Sequence, residues 1–296
     1  MNKEIKKEVG IRLGFITDEV SNDLLQAADF AEHFCVRNIE LRSVDGLSPF
    51  QFTDEKVKEI GEICKARGLS VNAISAPLFK CDIKNYGEYR SHVEGFDRLS
   101  DQALRLGARI IRGFDFWECG ASLGERAERF QPIIDICRAK DIICAIEYDP
   151  SVHSSTPKKL SEFLNYVNDS RIMALYDPGN GVFTAPDEKP YPDAYELLKD
   201  RIVNVHVKDA RIVDGHAEVV KVGDGLVDWS SLFKRLIADG YRGCVTLETH
   251  YRKNVVLTEE QLKLPGGYAF SAGAYEASAE SMESLLKIID KIKEND

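Results

Sequence analysis

Paired cysteines are missing from this chain. Seven cysteines occur, an odd number, and no CxxC pair is among them. Cys64, Cys137 and Cys144 fall at apolar, periodic positions and read as reduced core residues of a cytoplasmic protein. Also missing is any apolar run approaching the roughly 18 residues of a membrane-spanning helix. Met1 to Gly10 is a charged tail without the apolar centre of a signal peptide. Positive charge is in short supply. The formal net charge is -10, a field that repels nucleic acid and acidic membranes but leaves room for a local basic cluster on a phosphorylated substrate. No glycine-rich phosphate turn follows the first strand-like run, where Phe15-Ile16-Thr17-Asp18-Glu19 stands instead. Neither a Walker motif nor a GxSxG elbow occurs.

What is present is a regular alternation. Strand-like runs begin at Ile11, Asn38, Ser70 and Arg109, and four more end at Glu147, Asp177, His206 and Glu248. Between them lie segments with apolar residues at helical spacing, such as Val57, Ile60 and Cys64, or Val93, Phe96, Leu99 and Ala103. Asn22, Thr53, Thr156-Pro157 and Asp228 are placed to start helices; Gly68, Gly107 and Gly240 are placed to stop them. One helix is expected across Leu123, Ala127, Phe130 and Ile134. About eight β–α units without a composition break predict an α/β fold, a single (β/α)8 barrel covering residues 1–296. The segment 251–274 is long for a barrel loop and reads as a lid or interface arm.

Active residues of such a barrel gather where the strands end. Glu147, Asp177, His206 and Glu248 close predicted strands five to eight, neighbours around one half of the barrel. Taken singly, each has a plain structural explanation. Asp177-Pro178-Gly179 is a common turn sequence, a lone histidine is commonly hydrogen-bonded structure, and a lone glutamate is commonly solvated. Together they point to one divalent metal, because three crowded carboxylates repel unless a cation neutralises them. The donor set suits Mn2+, Mg2+, Co2+ or Zn2+. Lys80, Arg112 and Lys208 point toward the same mouth, either as substrate-holding groups or as ion pairs. Glu40 and Arg42, two apart on one strand, are expected to pair with each other. His153 and His250 follow closely on Glu147 and Glu248.

These pieces resemble a known family: the sugar phosphate isomerase/epimerase group of xylose isomerase-like TIM barrels, related to endonuclease IV. The resemblance runs from Gly14-Phe15-Ile16-Thr17-Asp18-Glu19 to Leu247-Glu248-Thr249-His250. It is carried by Ile39-Glu40-Leu41-Arg42, Asp177-Pro178-Gly179-Asn180, Val205-His206-Val207-Lys208-Asp209, and Val222-Gly223-Asp224-Gly225 through Asp239-Gly240-Tyr241-Arg242-Gly243. It implies one divalent metal on Glu147, Asp177, His206 and Glu248. Glu147 and Glu248 would also exchange a substrate proton. Lys80, Arg112, Asn180, Lys208 and His153 are then candidates to hold the substrate. Asn180 stands where many ketose epimerases of the family have His. The implied reaction is isomerisation or epimerisation of a sugar, keto-sugar or polyol through a metal-stabilised enediolate, with keto-inositol dehydration as the alternative. A small-molecule substrate is expected, with no nucleic acid or membrane partner, and a homo-oligomer is compatible with the reading. A nuclease would need more histidine than the six present and a basic face. A non-catalytic sugar-binding protein on the same fold is the remaining alternative.

Overall fold

Eight short strands run parallel and close on themselves: β1 (Arg12–Ile16), β2 (Asn38–Leu41), β3 (Ser70–Leu78), β4 (Ile110–Gly113), β5 (Ile143–Glu147), β6 (Ile172–Tyr176), β7 (Ile202–Val207) and, after a hairpin, β10 (Cys244–Leu247). Their order around the barrel is β1-β10-β7-β6-β5-β4-β3-β2, so the strands that were expected to neighbour one another do. This computed structural model describes residues 10–294 except 186, 187, 254 and 256; all but the last residue of the charged N-terminal tail lies outside them. Among the described residues no helix is long and apolar enough to cross a membrane.

Local chemistry explains the element ends. Thr53 accepts from Lys56 N, Thr156 from Lys159 N and Asp228 from Ser231 N, each at the start of the helix expected there. Gly68 ends the helix Asp54–Arg67 in the left-handed region, at φ 63. The first helix is capped by Asp23 rather than Asn22, whose side chain is buried and hydrogen-bonds Ser271 and Ser43 instead. The single helix expected across Leu123 to Ile134 is two, Leu123–Arg129 and Gln131–Lys140. Pro132 has no N–H to continue the first helix and sits instead in the opening turn of the second.

Two departures matter for the site. The long segment after β10 is not bare loop: it holds short helices Glu259–Lys263 and Gly267–Phe270 before the final helix Ala274–Glu294. And β7 is followed by an antiparallel hairpin, β8 (Asp209–Val213) with β9 (His216–Val220), that the periodicity did not reveal. Its turn is Asp214-Gly215, both at positive φ, 50 and 80, which is the backbone a tight two-residue hairpin demands.

Asp209 ties this hairpin to the next helix. Its carboxylate accepts from Gly223 N at 2.8 Å, from Gly225 N and Val227 N at 3.3 Å, and from the Trp229 indole at 3.2 Å. One buried side chain thus satisfies the turn that leads into the helix Trp229–Ala238. Asp209→Ala leaves the Val227 N–H and the Trp229 indole N–H buried and unpaired and takes a partner from the less buried Gly223 and Gly225. The expected loss is about 3 kcal/mol of stability, read as a lower midpoint in urea unfolding.

Candidate active site

All four metal-type residues meet at one rim of the barrel. Glu147 is the last residue of β5 and His206 the penultimate residue of β7, while Asp177 and Glu248 directly follow β6 and β10. One ligand atom from each lies within 4.8 Å of those of the other three, and all four residues are buried.

Each ligand is aimed by a neighbour. Asp177 caps the helix Pro178–Thr184: Asn180 N donates to Oδ1 at 3.1 Å, which leaves Oδ2 for the centre. Gly179 permits this turn, since a Cβ there would come within 2.5 Å of the Lys208 carbonyl oxygen. His206 is aimed by Glu40. Nε2 lies 3.1 Å from Glu40 Oε1 and keeps its proton there, which turns Nδ1 to the centre, where it would offer a lone pair once its own proton is displaced. Glu40 is fixed in turn by Asn204 Nδ2 at 2.8 Å and by the Ser75 hydroxyl. Glu147 Oε2 accepts from Arg112 Nη1 at 3.1 Å, and Oε1 faces Asn180 Nδ2 at 3.3 Å. Glu248 Oε1 accepts from Arg42 Nη1 at 2.9 Å and Oε2 from Lys208 Nζ at 2.8 Å.

These residues fit a divalent ion. Asp177 Oδ2 and His206 Nδ1 are both buried and both lack a hydrogen-bond partner. Lys208 Nζ stands 2.5 Å from Asp177 Oδ2 as an ion pair without hydrogen-bond geometry, and His206 Nδ1 is 3.3 to 3.4 Å from Glu248 and Glu147. Two buried ligand atoms without hydrogen-bond partners, facing two carboxylates, are a donor set that could hold a cation. Burial, reinforced by Glu248 and Glu147 and opposed by Lys208, pushes the Asp177 carboxyl up to about 8. Burial lowers the His206 imidazolium, but Glu40 and Glu248 outweigh it and hold its proton well above the usual range.

A cavity of about 520 Å3 opens above the centre, within the size range of small-molecule sites. Glu147, Glu248, Lys80, Arg112, Asn180 and Lys208 all line it. Five of the nine candidate site residues are thus joined there by Lys80, whose ammonium donates to Asp149 Oδ2 at 3.0 Å and to the Lys263 carbonyl at 2.6 Å. Asp177 and His206 lie at its floor, within reach of the two glutamates. His153 is the exception. Its ring turns to Glu118, 3.1 Å from Nδ1, and to Cys119, and it does not line the cavity. The loop after β5 offers Asp149 and Ser151 to the cavity instead.

The expected Glu40–Arg42 pair is corrected by the structure. Glu40 serves His206, whereas Arg42 reaches Asp18 at 3.0 Å, Glu19 at 2.7 Å and Glu248. Both lie in the site, and so do Asp18 and Glu19, which the sequence reading passed over. The signal for the last two was available only as a pair of acids directly after β1, at the same rim.

Two outcomes follow for metal binding. The metal-free site holds a proton on Asp177 below pH about 8 and another on His206, and an ion must displace them. Affinity therefore weakens as pH falls from 8 to 6, and titration calorimetry in buffers of different ionisation enthalpy reads release of at least one proton at pH 7. Glu40→Gln weakens metal affinity by roughly 10- to 100-fold in the same assay while leaving the far-UV spectrum unchanged.

Comparison with known proteins bears on the fold and the family. Inosose dehydratase of Serratia proteamaculans (strain 568) is 23% identical over 164 residues, which are 50% of this chain and 52% of that one; the chain thus matches about half the length of such curated relatives. Among solved structures, the IOLI protein with a binding zinc atom superposes with a TM-score of 0.73 at 17% identity, covering 95% of this chain and 99% of the other. D-allulose 3-epimerase from Methylomonas sp., in complex with D-allulose, gives 0.70 at 16% identity over 94% and 96%. The model of the xylose isomerase-like TIM barrel family matches residues 28–285, and the chain belongs to that family.

Proposed function

We propose that this chain is a divalent-metal-dependent enzyme that moves a proton on the carbon beside the carbonyl of a sugar, keto-sugar or polyol, as an isomerase or epimerase. The observation that carries this reading is the pairing of Glu147 and Glu248 at one cavity floor, each buried, each ionised, and each beside Asp177 and His206. Burial works against ionisation of Glu147, but Arg112 and His206 outweigh it; for Glu248, Lys208, His250 and His206 do the same. Both are therefore carboxylates able to accept a proton. A divalent ion on Glu147, Asp177, His206 and Glu248 would polarise a carbonyl and its neighbouring hydroxyl.

The chain's own residues do the rest. One glutamate takes the proton, and the other returns one to the opposite face or to the adjacent carbon. The first outcome is epimerisation, the second aldose–ketose isomerisation. Asn180 and Lys208 hold the two carboxylates and line the cavity that would take the substrate. Lys80 sits over the Phe114 ring at 4.3 Å, an ammonium within reach of a distal hydroxyl. Among the described residues, each buried cation of this cavity already faces an acid: Lys80 faces Asp149, Arg112 faces Glu147, and Lys208 faces Asp177 and Glu248. An uncharged polyhydroxy carbonyl compound fits this lining better than a phosphate ester.

Dehydration is the second reading, favoured by the inosose dehydratases among the relatives. It needs the same proton removal, followed by departure of a β-hydroxyl. One experiment addresses both. Ketoses, keto-inositols and their phosphates are incubated in deuterated water with Mn2+ and followed by NMR and mass spectrometry. Deuterium gained without loss of mass elsewhere marks isomerase or epimerase chemistry; loss of one water marks a dehydratase. Glu147→Gln and Glu248→Gln are each expected to slow exchange by roughly 10²- to 10⁴-fold. Exchange unchanged in both would reject the assignment.

A further inference from the structure

A second group beside the four-residue centre also has the makings of a cation site. Glu19, Glu248 and His250 offer ligand atoms within 4.8 Å of one another, and all three are buried. The His250 Nδ1 is buried without a hydrogen-bond partner and stands 2.7 Å from Glu19 Oε1. Glu248 belongs to both groups, so an ion here would share a bridging carboxylate with the first.

Arg42 already fills this place. Its guanidinium sends Nη2 to Glu19 Oε1 at 2.7 Å, Nη1 to Glu248 Oε1 at 2.9 Å and Nε to Asp18 Oδ1 at 3.0 Å. The three directions of the planar fork each end on a different carboxylate. The Phe270 ring lies 4.7 Å from Arg42 and 4.9 Å from Arg252, whose guanidinium is 3.4 Å from Glu19 Oε2. The side chain of Arg42 is only 2% exposed.

We propose that Arg42 is a built-in cation standing where a second divalent ion would sit, and that it limits this centre to one metal. The inference rests on the metal-centre reading above, because Glu248 is common to both groups. Charge arithmetic supports it. Asp18 and Glu19 are balanced by Arg42 and Arg252, with Glu248 left to serve the first site. A dication added beside two guanidiniums would be a buried excess of positive charge. Arginine does not shed its proton in proteins, so this cation stays in place, and a lysine among the same three carboxylates would keep a positive charge there too. Its removal leaves Glu19, Glu248 and His250 facing one another with Arg252 alone, a donor set that suits Mn2+ or Zn2+.

The test is metal stoichiometry. Wild type, Arg42→Gln and Arg42→Lys are saturated with Mn2+, freed of excess by gel filtration, and analysed for manganese per chain and by electron paramagnetic resonance. One ion with an isolated six-line spectrum is expected for wild type and for Arg42→Lys. Two ions with a spin-coupled spectrum are expected for Arg42→Gln. One ion in folded Arg42→Gln, or two in either of the others, overturns the proposal. Should metal-free Arg42→Gln not fold, its melting is followed with Mn2+ present. A cooperative transition regained with two ions bound supports the inference, whereas no transition at saturating Mn2+ overturns it, since a dication would replace the lost charge. A wild type that takes up no ion at all overturns the metal centre itself, a failure distinct from one ion in both proteins.

Discussion

Mutual repulsion among Glu147, Asp177 and Glu248 is the constraint around which the barrel mouth is built. Two unit charges about 4.8 Å apart cost roughly 3 to 4 kcal/mol at an effective dielectric constant near 20. Three such pairs reach about 10 kcal/mol, comparable with the whole stability of an ordinary domain. Neutralisation is therefore a condition of folding as well as of chemistry. The protein meets it in two ways. Arg112, Lys208 and Arg42 each reach one or two of the carboxylates, and the metal-free state keeps protons on Asp177 and His206. A divalent ion on these residues would take over the work of those protons.

The scaffold contributes direction. Asp177 spends Oδ1 on its own helix start and His206 spends Nε2 on Glu40, and each aims its other polar atom inward, while Glu147 is held by Arg112 and Asn180 and Glu248 by Arg42 and Lys208. Glu40 does for His206 what Asp209 does for the turn before Trp229. Both are buried acids whose work is to hold other groups still. Above them the two short helices after β10 close over the cavity, with the Lys263 carbonyl on Lys80 and Phe270 against Arg42 and Arg252. Position of that segment and position of the metal ligands are thus linked through Arg42.

Much of this was legible in the residues themselves. The strand and helix alternation predicted the barrel, and the four residues that meet at its rim were visible because each ends an apolar run, a local signal. Glu40 and Arg42 show where local signals stop. Period-two alternation correctly placed them on one side of the strand, but it says nothing about depth. β2 ends at Leu41, so Glu40 stays among the barrel's interior side chains while Arg42 rises to the rim. There each meets partners from across the barrel, His206 and Glu248, 166 and 206 residues away in the chain. His153 failed for the opposite reason. It is close to Glu147 in sequence, but after Ser151 the chain packs against the loop that follows β4, where Val152 bridges Trp117 and the buried His153 ring meets Glu118 and Cys119. The β8–β9 hairpin did carry a signal, Asp214-Gly215 between alternating residues, overshadowed by the barrel's own period.

The convergence of four side chains on one cation is the claim on which the enzymology stands. Crystals grown with Mn2+ and measured for anomalous scattering at the manganese edge test it most directly. The account predicts a single strong peak bonded to Glu147, Asp177, Glu248 and the Nδ1 of His206, with Nε2 still facing Glu40. A peak bonded elsewhere, or none at full occupancy of the metal in solution, would contradict it.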